Sequence, residues 1–327
     1  MISGLLIVLL AGLFAPIAIA HATQTPDENL RAIVRVSSEV PADARTAQSL
    51  GTQREGSGVV IDSGGLVLTV GYLILEAAKA EVLSPSGKPV NAEVVGYDHN
   101  TGFGLLRAKE ALEARPMEFG DSSKLKIRDE VLVASHGGPS SVHGAFVASR
   151  REFAGSWEYL LENAIYTTPP YPNFSGAALI GRKGKLLGIG SLFLQDVMPG
   201  RGPIPGNMFV PIDQLKPILA DLIVQGRSSR PSRPWLGMYT QEVGGRIVVL
   251  RITPHGPAHM AGIRQGDMIV GIAGEAVESL AGFYRKVWSK GHAGVKVSLN
   301  VLRGTSVRNI SVRSSDRYKY LKLKPGF

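Results

Sequence analysis

The sequence contains no cysteine, which removes disulfides, thiolate metal sites and cysteine nucleophiles together. That neither supports nor opposes export, because a domain of this size is stable without disulfides. It also lacks an aromatic-rich RNA motif, a zinc-finger spacing and a phosphate-cradling glycine loop, so no nucleic-acid partner is expected. No cofactor is expected either. Charge is missing from the start of the chain, where the first charged side chain is Asp27. The run "MISGLLIVLLAGLFAPIAIAHATQ" reads as an apolar h-region followed by the small-residue patterns Ala18-Ile19-Ala20 and Ala20-His21-Ala22. An export signal over residues 1–22, cleaved near Ala20 or Ala22, is expected, and with it an extracytoplasmic or periplasmic location. The n-region lacks Lys and Arg, which leaves an uncleaved N-terminal anchor as the alternative. No later segment is long and uncharged enough to span a bilayer.

What is present argues for two compact, strand-rich domains. The chain has 327 residues, of which 44% are hydrophobic, too many for overall disorder. Its 39 glycines interrupt many short runs of Val, Ile and Leu, the pattern of strands and turns rather than of long helices. "RAIVRVSSEV" is a strand candidate, and Ser37 to Glu55 reads as a polar loop. From Gly56 to about Val210, segments such as "GSGVVIDSGGLVLTVGYLIL", "AEVLSPSGKPVNAEVVGYD" and "GKLLGIGSLFL" alternate strands with turns at Ser63-Gly64-Gly65 and Ser86-Gly87. A β-barrel or sandwich follows from that spacing. "PIDQLKPILADLIVQG" carries an apolar helical stripe that Pro217 kinks or restarts and Gly226 stops. The basic, Pro-containing stretch "RSSRPSRP", residues 227–234, reads as a linker. Beyond it lie strands at "RIVVLRI" and "DMIVGIAG", a helix over about Leu280–Ser289 and a closing hairpin. The net charge of +9 is concentrated at the end, with eleven Lys or Arg against the single acidic Asp316 from Arg285 onward. A solvated basic face and tail over 316–327 is the plain reading, and attraction to an anionic envelope surface the sharper one.

The candidate chemistry centres on "YPNFSGAALIG", where Ser175 sits among small apolar residues. A serine hydroxyl attacks a carbonyl only when a base takes its proton and paired donors hold the resulting charge. His255 and His259 have the spacing of helix-borne metal ligands, but Gly256 and Pro257 interrupt them and no third ligand is evident, so no metal site is expected.

Six landmarks in order give the chain a resemblance to the HtrA/Deg family of exported trypsin-like proteases with a C-terminal PDZ domain. They are "GSGVVIDSGGLVLT", "VVGYDHNTGFGLLRA", "GDSSKLKIRDEVLVASHGGP", "PNFSGAALIGRKGKLLGIGS", "FVPIDQLKPILADLIVQGR" and "RPWLGM". The resemblance implies a mainly β chain: a trypsin-like double β-barrel over 23–226, a linker over 227–234 and a small α+β PDZ domain over 235–315. It also marks departures. Where the family reads Thr-Asn-x-His-Val, this chain reads Thr69-Val70-Gly71-Tyr72-Leu73, which puts Tyr72 at the general-base position. Gly102 of Thr101-Gly102-Phe103-Gly104 takes the position of the aspartate that orients the base. Asn173-Phe174-Ser175-Gly176-Ala177 replaces Gly-Asn-Ser-Gly-Gly. A phenol with an ordinary pKa of about 10 is protonated at neutral pH and cannot shuttle a proton as imidazole does.

The resemblance with these departures implies a pseudoprotease in which Ser175 is a vestigial nucleophile. His99 with Asp98, and His136 or His143 beside the "GGPSS" loop, are the candidates for a relocated base, which gives the alternative of an active serine endopeptidase. Asn173 tolerates a left-handed backbone better than most residues, so an oxyanion-binding pair at the Asn173 and Ser175 amides is a candidate remnant. In the PDZ part, the family's loop lends backbone amides to a peptide's C-terminal carboxylate. Carried over, these positions are Leu236, Gly237 and Met238, with Phe283, Tyr284 and Val287 walling the groove and core packing as the competing reading for Phe283 and Val287. Peptides or protein C-termini are the implied partners, and Phe327 is a conceivable ligand for a neighbouring groove. A homo-oligomer stays open, since residues 24–53 carry too little pattern to assign one. The third reading is a structural protein whose basic tail grips anionic envelope polymer.

Overall fold

Alternation of apolar and polar residues sets the strand faces. In β4 (Lys79–Leu83) and β5 (Pro89–Tyr97), Ala80, Val82, Val90 and Ala92 are buried while Lys79, Pro89, Asn91 and Glu93 are exposed. The computed structural model describes residues 26–323; the expected signal at 1–22 and Phe327 lie outside them. After α1 (Pro26–Arg31), the first barrel contains β1 (Ile33–Glu39), β2 (Gln53–Val60), β3 (Leu66–Val70), β4, β5 and β6 (Phe103–Ala108), closed in the order β1-β2-β3-β6-β5-β4. The second contains β7 (Glu130–Ala134), β8 (Val142–Gly155), β9 (Tyr159–Thr168), β10 (Ala178–Ile180), β11 (Leu186–Leu194) and β12 (Gly206–Pro211), closed as β10-β11-β12-β9-β8-β7. Closure leaves neither barrel an open edge. β3 is buried along its whole length because it also meets β11 of the second barrel.

The stretch 37–55, expected as a polar loop, is largely ordered structure. β1 continues to Glu39, α2 spans Ala47–Leu50, and β2 begins at Gln53. Its polar residues bond inward: the buried Arg54 guanidinium donates to the Tyr72 and Leu75 carbonyls at 2.8 and 2.9 Å and to Thr46 Oγ1 at 2.9 Å. Satisfied in this way, an arginine can lie inside. The helix interrupted by Pro217 resolves into a 3-10 turn at Ile212–Gln214 and α3 (Leu219–Gln225). Gly226, at φ 75°, ends it in a left-handed cap.

The third unit is a sheet ordered β13-β14-β15-β17-β18, formed by β13 (Met238–Val243), β14 (Arg246–Ile252), β15 (Met268–Ile272), β17 (Lys296–Arg303) and β18 (Ser306–Arg313), with β16 (Glu275–Ala276) beside β15. α4 (Pro257–Met260) and α5 (Leu280–Trp288) accompany it. α5 starts at a Ser279 cap whose hydroxyl accepts the Gly282 amide, and buries Leu280, Phe283, Tyr284 and Val287 against the sheet. The same apolar core takes in Leu160 and, at its margin, Ala154 from the second barrel. The barrel and the small domain therefore share buried surface.

The described part of the basic tail is docked through its backbone and aromatic residues, while Lys319 and Lys322 stay exposed as expected of a solvated basic face. α6 (Arg317–Tyr320) docks where the first barrel, the β8–β9 hairpin and the small domain meet. Tyr318 Oη donates to the Tyr97 carbonyl at 2.7 Å, the Tyr320 ring lies 5.0 Å from that of Trp235, and the Lys322 amide donates to Glu76 at 2.7 Å. The two tyrosines supply the apolar ring area that docks the segment, and Lys319 and Lys322 keep their solvent.

Candidate functional site

Ser175 lies in the turn before β10, and its backbone is tied to β2. The Ser57 amide donates to the Ser175 carbonyl at 2.8 Å, and the Gly176 amide donates to the Gly190 carbonyl at 2.9 Å. Gly176 has φ 73°, and a Cβ there would stand 1.9 Å from the Ser57 carbonyl oxygen. Only glycine fits. Asn173, expected from its type to tolerate a left-handed backbone here, has no positive φ; the left-handed position is Gly176. Among the described residues, neither the Asn173 nor the Ser175 amide donates to a backbone carbonyl outside regular structure.

Opposite Ser175, the 3-10 turn Gly71–Leu73 after β3 carries Tyr72 inward. Tyr72 Oη lies 2.9 Å from Ser175 Oγ and 2.9 Å from the Ser191 carbonyl oxygen of β11. A phenol has one proton for these two neighbours, and the carbonyl has none to give. All three groups are satisfied when Tyr72 donates to Ser191 and the Ser175 hydroxyl donates to Tyr72. Burial pushes the Tyr72 phenol up to about 12, and the hydrogen bond with Ser175 only partly opposes it. At neutral pH the group therefore stays protonated.

Gly102 is also left-handed, with φ 81°. Its amide donates to the Asp98 carbonyl at 2.7 Å, and its carbonyl accepts from Gly71 at 2.7 Å, so it braces the Tyr72 turn through its backbone alone. A Cβ at Gly102 would face Tyr159 Oη at 3.6 Å, and that hydroxyl donates to the Thr101 carbonyl at 2.7 Å. A carboxylate at this position would have to tolerate both a strained φ and a neighbouring phenol.

None of the candidate replacement bases hydrogen-bonds Ser175 in the described structure. His99 is half-buried, with both ring nitrogens buried and unpaired, edge-on to Tyr97 and Tyr318 at 4.5 and 4.3 Å between centroids. Burial holds its pKa well below the usual imidazole range. Asp98 instead accepts from the Thr101 amide and hydroxyl, both at 2.8 Å, in a local turn. His136 Nδ1 lies 3.1 Å from Ser57 Oγ, and His143 stacks on Tyr171 at 5.8 Å. His255 and His259 have rings 5.7 Å apart, and the described residues contain no group of three side chains placed to hold a metal.

The second candidate site is the loop entering β13. Gly237 is left-handed at φ 77°, which turns successive amides to one side. Those amides converge on the carboxylate of Glu158, from the tip of the β8–β9 hairpin. Leu236 donates to Glu158 Oε2 at 2.8 Å; Gly237 and Met238 donate to Oε1 at 2.6 and 3.0 Å. Glu158 is buried and itself left-handed, with φ 57°. Burial pushes its pKa up, against the three amides and the Arg317 charge. Of the three α5 residues, Phe283 and Val287 are fully buried in the core. Tyr284 reaches the hairpin: its hydroxyl donates to the Gly155 carbonyl at 2.7 Å and accepts from the Glu158 amide at 3.3 Å. Glu158 carries no sequence signal, since nothing in "GSWEYLL" marks a glutamate that meets a loop nearly eighty residues later.

A family model described as a trypsin-like peptidase domain matches residues 56–189, and one described as a PDZ domain matches residues 234–313. The chain is 25% identical over 284 residues to a probable periplasmic serine endoprotease DegP-like of Bartonella henselae, covering 83% of this chain and 55% of the relative. It is 27% identical over 266 residues to a serine protease Do-like HtrA of Lactobacillus helveticus, covering 73% and 63%. It therefore spans little more than half the length of such relatives. In fold it is similar to an HtrA-type protease AlgW solved with a tripeptide, at a TM-score of 0.53, 20% identity and coverage of 92% and 99%. A serine endoprotease from Yersinia pestis gives a TM-score of 0.53, 22% identity and coverage of 90% and 98%. Two closed barrels followed by a carboxylate-holding loop and sheet, matched in order by these two domain models, place the chain among the HtrA-like proteins, a trypsin-like peptidase domain joined to a PDZ domain.

Proposed function

We propose that this chain is an exported HtrA-like pseudoprotease that binds peptide termini or unfolded segments through its PDZ domain, as a scaffold or sensor. The relatives are named as serine endoproteases, several of them periplasmic, which supports the family and an exported location. The observation that carries the loss of activity is the pairing of Ser175 with Tyr72, a phenol pushed up to about 12, where a proton shuttle needs a pKa near the working pH. Gly102 supplies no group to orient a base. By analogy with triad knockouts, such losses cost on the order of 10⁶ in turnover and leave about 10³ to 10⁴ over water. Peptide binding is supported by the PDZ match and by the three converging amides of Leu236, Gly237 and Met238. A role for the basic end on anionic surfaces has less support, because Arg317 donates to the Trp157 carbonyl and Lys322 pairs with Asp43.

The test is hydrolysis of an unfolded casein substrate by the purified protein beside Ser175→Ala, with and without added C-terminal peptides. Equal silence is expected. Cleavage by the wild type that Ser175→Ala abolishes would show a working nucleophile, and His99, His136 and His143 would then be replaced in turn.

A further inference from the structure

The amides of Leu236, Gly237 and Met238 already have an acceptor, and it belongs to the same chain. A peptide terminus in such a groove presents a carboxylate to the loop amides and pairs its backbone with the adjoining strand. The tip Gly155–Glu158 does both. Glu158 gives its carboxylate to Leu236, Gly237 and Met238, and the Thr240 amide of β13 donates to the Ser156 carbonyl at 2.9 Å. From the other wall, Tyr284 of α5 bonds the backbone at Gly155 and Glu158, and its hydroxyl lies 3.2 Å from Thr240 Oγ1. The occupant thus lies between β13 and α5, where an added peptide would lie. An ordinary interdomain contact has no reason to direct one carboxylate at three consecutive amides.

From this we infer that Glu158 is a built-in ligand of the PDZ groove, so that a free C-terminal carboxylate binds only by displacing the β8–β9 hairpin and parting the small domain from the second barrel. The inference rests on the proposed reading of the PDZ domain as a peptide receptor. A tethered ligand acts at an effective concentration in the millimolar range, and a competitor's affinity falls by the fraction of molecules in which the groove is open. Removing Glu158 should return that lost affinity. Because the hairpin joins two strands of the second barrel, its release also gives peptide binding a route to the barrel that holds Ser175.

The full chain, Glu158→Ala and Tyr284→Phe are compared in two measurements. Amide hydrogen exchange follows the 236–238 loop. Fluorescence anisotropy follows a fluorescein-labelled pool of random decapeptides with free C-termini, beside the same pool amidated. In the wild type the loop amides are protected and the pool binds weakly. In Glu158→Ala their exchange rises on the order of 100-fold, and the free-carboxylate pool binds at least about tenfold tighter while the amidated pool does not. Tyr284→Phe keeps the carboxylate and loses two backbone anchors, so it gains a smaller factor of about two to five; it carries the comparison if Glu158→Ala does not fold. Unchanged protection with measurable binding, or equal measurable affinity for the free-carboxylate pool in all three proteins, overturns the inference and leaves the peptide-receptor reading in place. Exposed amides in Glu158→Ala with no binding of either pool overturn the receptor reading and the competition together, and the exchange data distinguish the two failures.

Discussion

The serine turn and the PDZ loop carry their polar groups on different parts of the residue, side chain in one and backbone in the other, and they differ in what a substitution can erase. At the serine turn the chemistry depends on side chains. With tyrosine at position 72 and glycine at 102, the turn has its ties to β2 and β11 and its serine, and the group beside that serine is a phenol pushed up to about 12. At the PDZ loop the recognising groups are backbone amides, which survive almost any change of side chain. What closes that loop is a remote carboxylate, not a local loss. At one site the backbone is in place and a phenol stands beside the serine; at the other the backbone amides are in place and a carboxylate from the same chain meets them.

The comparison breaks first if the backbone of the serine turn is dispensable. Gly176→Ala must relieve both a left-handed φ and a Cβ 1.9 Å from the Ser57 carbonyl, so it should cost about 3 kcal/mol or more and lower the midpoint of thermal unfolding by several degrees. A variant as stable as the wild type would mean that the turn is not held as described. Next is the filled site. Glu158→Ala takes the acceptor from three amides and releases the hairpin that it pins, and chemical denaturation should show a loss of about 1 to 3 kcal/mol, with Glu158→Gln intermediate because its amide oxygen still accepts.

A smaller effect sharpens the reading of Tyr72. Tyr72→Phe removes one hydroxyl from a three-membered chain and should cost about 1 to 2 kcal/mol at neutral pH. The alkaline range carries the sign. A phenol whose folded pKa is raised from 10.0 to about 12 contributes stability fully below 10 and loses it as pH rises through that window. The difference between wild type and Tyr72→Phe should therefore shrink from about pH 10 to 12, measured by urea titration at each pH. The smallest expected effect is none: Tyr72→His with Gly102→Asp should leave casein hydrolysis at the Ser175→Ala background, because position 102 is left-handed and faces Tyr159.

Much of this was legible in the sequence because it depends on local pattern. The alternation in "AEVLSPSGKPVNAEVVGYD", the glycine stop at Gly226 and the Pro217 restart reappear as strands, cap and break. The departures at Tyr72 and Gly102 were readable because each sits inside a recognisable run. Three features were not. Arg54 reads as part of a polar loop until its guanidinium is seen holding carbonyls from another segment. The basic end reads as solvated until Tyr318 and Tyr320 are seen at the seam. Glu158 reads as an ordinary hairpin glutamate until the small domain is placed against it. Each depends on a long-range meeting that composition and spacing do not encode.

The most direct test of the central claim is labelling of Ser175 by a fluorophosphonate probe at neutral pH, read by intact mass against Ser175→Ala. With Tyr72 protonated and no imidazole bonded to the serine, wild type and variant should show the same background. Stoichiometric labelling of the wild type that disappears in Ser175→Ala would contradict the account.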